Sequence, residues 1–317
     1  MKINMLPIGL LMWFSIALTG CTPYKNVPLK MEFADLQYPF AVQYADIETD
    51  IRIAYVDEGS GSETILFVHG LGSYLPAWHK NIQALRSDYR CIAVDLPGYG
   101  KSSKGAYPIT MEWYADILVK FMAELKIDSA ILAGHSMGGQ IAMIMALKYP
   151  EQVERLILVA PAGFEAFSEG EKEWFRENIT ARGVKLTPVQ QIRANLVHNF
   201  YNMPPDAEFM VTDRIALRHA HDFDAYCYTI RKCVTGMVDQ PVLDVLDALQ
   251  PPTLIVFGQN DQLIPNPYLH GGRTADIANI GAQKIPNSTL VLLADCGHFA
   301  QYEQADAFNQ AVRDFLK

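Results

Sequence analysis

Residues Gly134-His135-Ser136-Met137-Gly138 set one serine between two glycines in the pattern G-x-S-x-G. A serine hydroxyl attacks a carbonyl only when a base within hydrogen-bond reach takes its proton, and that base needs an anion to hold its tautomer. Downstream, Asp261 lies in Gly258-Gln259-Asn260-Asp261 and His298 in Asp295-Cys296-Gly297-His298-Phe299. These three residue types suit acyl transfer through a covalent intermediate. Asp295 competes for the acid role because it is close to His298. It sits at the end of its own strand, however, and Asp261 is the expected partner. The loop after Leu156–Val159 reads Pro161-Ala162-Gly163 and offers no acid.

To meet, these side chains must be brought to one edge of the fold. Thr64–Val68, Cys91–Asp95, residues 129–134, Leu156–Val159, residues 253–257 and residues 289–293 are short apolar runs, as expected of strands covered on both faces. Residues 40–47 and 51–57 read as an antiparallel ribbon. Between the strands fall helical stretches at 76–87, 111–126 (capped by Thr110), 138–149, near 270–283, and 303–316. Such alternation with short links implies a parallel, doubly covered sheet. Ser136 then occupies a tight strand-to-helix turn, where small neighbours relieve crowding and the helix N-terminus directs positive potential at it. Asp261 and His298 follow strands as well, which puts them at the same carboxyl edge. The alternation breaks over residues 164–250, which read as a helical insertion lacking an independent core.

With this order of residues, positions from about 40 to 317 resemble the α/β-hydrolase fold superfamily. The resemblance implies a mostly parallel eight-stranded sheet covered by helices. It implies a core of residues 40–163 and 251–317, with a helical cap at 164–250 inserted after the sixth strand. His69-Gly70-Leu71-Gly72 resembles the family's HG-x oxyanion loop, which makes the backbone N–H groups of Leu71 and Met137 the expected oxyanion donors. His69 is expected to brace that loop. Relatives that open epoxides or remove halides use an aspartate nucleophile, so Ser136 argues against both, and Met137 replaces the halide-binding tryptophan of dehalogenases. The expected activity is a serine hydrolase of carboxylic esters with an apolar acyl or aromatic part. Gly139 completes a G-x-S-M-G-G elbow, found in capped relatives that cleave carbon–carbon bonds. Lactone, amide or perhydrolysis activity, and a non-catalytic surface lipoprotein, are the remaining alternatives.

The composition narrows the partners. Among 317 residues, 50% are apolar and 19% charged, enough for a sizeable core. The net charge is −9 with no Lys/Arg run, which disfavours nucleic acid. No CxxC pair or His/Glu helix motif is present, so neither metal nor cofactor is expected. Asp95-Leu96-Pro97-Gly98-Tyr99-Gly100-Lys101-Ser102 lacks phosphate-loop spacing and reads as a structural turn. His135 is expected to point away from the elbow tip and pack. His219 and His221 read as exposed, and His79, His198 and His270 stand without a constellation. Tyr201, Tyr226 and Tyr228 are expected to line a pocket. Cys91, Cys227, Cys233 and Cys296 read as buried thiols, with a Cys227–Cys233 bridge as the alternative.

The N-terminus reads as an address. Lys2 precedes an apolar run from Met5 to Leu18, too short for a confident span but suited to a secretory signal. Leu18-Thr19-Gly20-Cys21 resembles the lipobox of bacterial lipoprotein precursors, which implies cleavage after residue 20 and lipidation of Cys21. Thr22 is not the aspartate that commonly retains such proteins at the inner membrane. An outer-membrane anchor is therefore expected, with residues 21–39 as a tether and the catalytic domain periplasmic or surface-exposed.

Overall fold

The computed structural model describes residues 24–317, so the signal-peptide and Cys21 readings fall outside the described residues. Eight strands form one sheet: β1 (Gln43–Glu48), β2 (Ile51–Glu58), β3 (Thr64–Val68), β4 (Arg90–Val94), β5 (Ala130–His135), β6 (Val153–Val159), β7 (Thr253–Gly258) and β8 (Ser288–Leu293). Their order is β1-β2-β4-β3-β5-β6-β7-β8. β2 pairs antiparallel with β1 and β4, and every later pairing is parallel. Consecutive residues of the central strands feed opposite faces. On β3 and β5, Leu66, Val68, Ala130 and Leu132 join one buried cluster. Ile65, Phe67, Ile131 and Ala133 join the other. Both faces are dry, which is why these strands read as unbroken apolar runs.

The helices around the sheet are α1 (His79–Leu85), α2 (Met111–Glu124), α3 (Met137–Lys148), α9 (Thr274–Lys284), α10 (Ala300–Glu303) and α11 (Ala305–Leu316). α2 and α3 cover the first face through Tyr114, Phe121, Ile141 and Met145. α1 and α11 cover the second through Ile82, Leu85, Phe308 and Val312. Thr110 caps α2 by accepting a hydrogen bond from the Trp113 N–H at 3.0 Å.

Between β6 and β7 lie α4 (Glu169–Asn178), α5 (Ala181–Leu186), α6 (Val189–Val197), α7 (Glu208–Ala216) and α8 (Phe223–Asp239). α8 fastens this group to the sheet domain. Its Phe223, Tyr226, Cys227 and Cys233 belong to the main core cluster, and Tyr99 Oη donates to Cys233 Sγ at 3.2 Å. α4 is highly charged and buries no residue. The four cysteines of the described residues are free and buried.

Residues 24–38 differ from the sequence-based expectation of a tether. Phe33 and Leu36 are buried, the Lys30 N–H donates to Ala216 O at 3.1 Å, and the His221 N–H donates to Met31 O at 2.8 Å. Phe33 packs 5.2 Å from the Tyr226 ring of α8 and joins Leu36 in the main core cluster, and the chain follows them.

Candidate active site

The turn from β5 into α3 holds Ser136 at φ 53° and ψ −117°, a strained conformation for a residue with a side chain. The surroundings leave no room to relax it. A Cβ on Gly134 would lie 2.3 Å from Gly138 O, and one on Gly138 would lie 2.3 Å from Val68 O. The Ser136 N–H donates to Val159 O at 2.9 Å, and the Ser136 carbonyl accepts from the Gly139, Gln140 and Ala162 N–H groups. The backbone is therefore fixed from both sides, and the side chain stands at the carboxyl edge of the sheet.

His298 and Asp261 meet at that edge. His298 Nδ1 lies 2.7 Å from Asp261 Oδ2, and both side chains are almost wholly buried. Because a carboxylate only accepts, Nδ1 carries the proton and Nε2 keeps a free lone pair. Asp261 Oδ1 is occupied by the N–H groups of Leu263 and Ile264, at 2.8 and 3.2 Å. Asp261 is thus held by its own loop while its second oxygen orients the His298 imidazole. Asp295, the competing carboxylate, is exposed. Ser136, His298 and Leu71 line one cavity of about 400 Å³.

Among the described residues, the N–H groups of Leu71 and Met137 donate to no carbonyl or side-chain acceptor. Met137 opens α3, where N–H groups lack helical partners. His69 holds the loop that carries Leu71: its Nδ1 is 2.8 Å from Gly70 O, and its Nε2 accepts the Leu96 N–H at 3.1 Å. Burial lowers its pKa, which matches a neutral brace with both nitrogens committed. Cys296 lies two residues from His298, but burial pushes its thiol pKa up to about 12 and keeps it a poor nucleophile.

The cavity around Ser136 is mostly apolar. Phe167, Phe175, Ile179, Val234, Met237 and Ile264 contribute; among the described residues no lysine or arginine lines it, and Glu165 is its single carboxylate. A second cavity of about 310 Å³ shares Leu71, Asn195 and Asn199 with the first. It contains Arg214, whose guanidinium lies 4.7 Å from the Phe223 ring centroid and 5.2 Å from that of Tyr226. Arg214 Nη1 is buried without a hydrogen-bond partner among the described residues.

Several site residues depart from the sequence reading. Tyr226 lines the second cavity, whereas Tyr201 is exposed, Tyr228 donates to Tyr107 O at 3.2 Å, and neither lines either of these two cavities. His219 and His221 are exposed. His198 lies at the rim of the Ser136 cavity. His270 has a constellation after all, between Glu165 and Glu171 and stacked 5.3 Å from the Phe167 ring. Glu303 was not singled out by sequence. Its carboxylate accepts the Gly297 N–H at 2.8 Å and, from the cap, the Tyr201 and Asn202 N–H groups at 3.1 and 2.6 Å. Only a structure reveals it, since its partners are main-chain groups with no residue preference.

A doubly covered sheet with a strained serine turn and a carboxylate–imidazole pair at its carboxyl edge defines a hydrolase-type α/β scaffold. The chain belongs to the alpha/beta hydrolase fold family, whose pattern matches residues 63–305. It is 30% identical over 280 residues to the dihydrolipoyllysine-residue acetyltransferase component of the acetoin cleaving system of Cupriavidus necator, covering 87% of this chain and 69% of that protein. It is 29% identical to the 2-hydroxy-6-oxononadienedioate/2-hydroxy-6-oxononatrienedioate hydrolase of Paraburkholderia phymatum, over 84% of this chain and 92% of that protein. The crystal structure of a probable hydrolytic enzyme from Pseudomonas aeruginosa PAO1 superposes with a TM-score of 0.79 at 28% identity, covering 92% of this chain and 99% of that one.

Proposed function

We propose that this protein is a serine hydrolase that cleaves carboxylic esters with an apolar acyl or aromatic part. The observation that carries this reading is the Asp261-bonded His298 sharing one largely apolar cavity with the strained Ser136. In the proposed cycle, His298 Nε2 takes the Ser136 Oγ proton as the oxygen attacks the ester carbonyl. The N–H groups of Leu71 and Met137 stabilise the oxyanion, and loss of one such donor costs roughly 3 kcal/mol. His298 then returns the proton to the leaving alcohol, and Asp261 stabilises the imidazolium throughout. Water activated by His298 releases the acid from the acyl-enzyme.

The lining of the cavity favours a neutral ester. A dianionic dienedioate, the kind of substrate named for the Paraburkholderia relative, would meet Glu165 and, among the described residues, no lysine or arginine in the cavity of Ser136. Carbon–carbon bond hydrolysis is the second reading, and Arg214 favours it. Its unpartnered Nη1 in the adjoining cavity offers a partner for one carboxylate. The test is labelling of Ser136 by a fluorophosphonate probe, followed by turnover of neutral esters, carboxylate-bearing esters and vinylogous diketo acids. Neutral p-nitrophenyl esters turned over faster than the other classes support the ester reading, whereas preferential cleavage of a diketo acid transfers the assignment to the second.

The lipobox-like Leu18-Thr19-Gly20-Cys21 supports a further part of the proposal, a lipid anchor on Cys21 that holds the domain at the outer membrane. Metabolic labelling with an alkynyl fatty acid, lost in Cys21→Ser, tests it.

A further inference from the structure

His135 precedes the serine and contributes no atom to the proton transfers proposed above, yet its side chain is buried among them. Its Nε2 lies 3.1 Å from the carbonyl oxygen of His298. Its ring centroid lies 4.8 Å from that of His298 and 4.4 Å from that of Phe299. On the other side it meets the oxyanion loop: a Cβ built on Gly70 would fall 2.9 Å from His135 Nδ1 and 3.1 Å from Ser136 Cβ. One imidazole therefore touches the loop of the base and the loop of the oxyanion donors while being bonded to the nucleophile's own backbone.

The chemistry of the contact sets the ring's state. A carbonyl only accepts, so Nε2 must donate and Nδ1 is left with its lone pair. Nδ1 has no hydrogen-bond partner among the described residues. Burial and the neighbouring His298 both disfavour a proton there and hold the pKa well below the usual histidine range. The ring thus stays a neutral donor while His298 alternates between charged and uncharged forms.

The peptide it grips is pinned at both ends. The carbonyl of His298 faces His135, and the N–H of the same peptide unit, on Phe299, donates to Asn199 O of the cap at 3.1 Å. Rotation of that peptide plane would swing the imidazole of His298 and requires both bonds to break. We infer that His135 is a positioning residue, which fixes the peptide of His298 and so sets the base against Ser136.

This inference rests on the serine-hydrolase reading, and its test separates the two. Kinetics with a p-nitrophenyl ester are measured for wild type, Ser136→Ala, His135→Leu, His135→Gln and His135→Asn, with thermal melts for each. Gln can carry an amide N–H to about the place of Nε2, whereas Asn places it near Nδ1. His135→Leu and His135→Asn are expected to lower kcat about 30-fold with KM changed less than about threefold, as a misplaced reacting group does. His135→Gln is expected to recover most of kcat. In a His298→Ala background, His135→Leu should add no further loss, because the residue acts only through the base. Wild-type kcat in His135→Leu or His135→Asn, or an undiminished penalty in the His298→Ala background, overturns the inference. Full activity of Ser136→Ala removes the underlying reading instead, and the inference with it.

Discussion

The edge of the sheet and the cap above it are built by different means. At the edge, main chain does the positioning. Ser136 is held at φ 53°, glycines at 134 and 138 admit no side chain, and Asp261 is fixed by N–H groups of its own loop. In the cap, side chains do it, as with Cys233 under Tyr99 and Arg214 across Phe223 and Tyr226. Main-chain constraints leave marks in sequence, because only particular residue types satisfy them. Side-chain contacts between distant elements leave none, since many pairs would serve.

The sharpest break in this comparison is chemical. Ser136→Ala or His298→Ala should lower kcat at least about 10⁴-fold while the protein stays folded. Steady-state turnover of a p-nitrophenyl ester, read beside circular dichroism, checks it. No single substitution in the cap should approach that loss.

A pair of glycines makes the same comparison in stability. In Gly138→Ala the new Cβ meets Val68 O and His69 O at 2.3 and 2.7 Å, both main-chain atoms of the sheet edge. Neither can move without disturbing β3 or the oxyanion loop, so Tm is expected to fall by about 5 °C or more, corresponding to a loss above 1–2 kcal/mol. In Gly170→Ala, on α4 of the cap, nothing lies within 4 Å of the added carbon. Alanine there is expected to leave Tm unchanged or raise it slightly, since alanine suits a helix better than glycine by up to about 1 kcal/mol. Thermal melts of both variants decide it, and equal shifts would erase the distinction.

The distinction explains what could be read in advance. Five of the six apolar runs mark strands buried on both faces, whereas the sixth, at 289–293, is the edge strand β8, which stays partly exposed. The only sizeable error among them was the start of β6 at Val153, three residues before Leu156, where Glu154 is exposed and interrupts the apolar run. Asp261 was preferable to Asp295 because strand ends converge on one edge, and the observed 2.7 Å contact follows that logic. Glu303, Arg214 and His270 were invisible as site residues because their partners lie on other elements. For Tyr201 and Tyr228 residue type alone suggests a pocket, but type does not set direction: Tyr201 lies on an irregular segment and Tyr228 on the face of α8 turned to Tyr107. Phe33 and Leu36 were too few to advertise a packed strap.

Glu303 joins the two regions. Its carboxylate satisfies one N–H of the base loop and two of the cap. Glu303→Ala removes all three bonds; the part-buried Gly297 N–H left unmade costs about 1–3 kcal/mol, whereas the exposed Tyr201 and Asn202 N–H groups pass to water. Expected are a lower Tm and a drop in kcat of about tenfold, with Glu303→Gln intermediate, since one of its amide positions still accepts. Limited proteolysis of residues 199–202 should accelerate in parallel. If the cap loosens and kcat stays unchanged, the seat of the cap and the position of His298 are independent.

The smallest effect is expected where the cap begins. His270, in the loop that follows Asp261, sits between Glu165 and Glu171, with Nε2 3.0 Å from Glu171 and Nδ1 in contact with Glu165. Both partners accept, so only the doubly protonated imidazolium donates to each. Burial works against that charge, but hydrogen bonds and charge from the two carboxylates outweigh it and raise the pKa above its usual value. The folded protein thus holds this proton at pH values where the unfolded chain, with a pKa near 6.5, has lost it. The clasp contributes fully below that unfolded pKa and fades as the pH rises through the higher folded one. Because Glu165 and Phe167 line the Ser136 cavity, its loosening should widen the mouth of the site and leave the triad in place. Wild type should therefore exceed His270→Gln in Tm at pH 6, with the gap closing by pH 9. KM for bulky esters should drift over the same range in wild type but not in His270→Gln, while the pH profiles of kcat, set by His298, coincide for the two proteins. NMR titration of the His270 ring supplies the control: an ordinary or depressed pKa removes the clasp from the account of the cap.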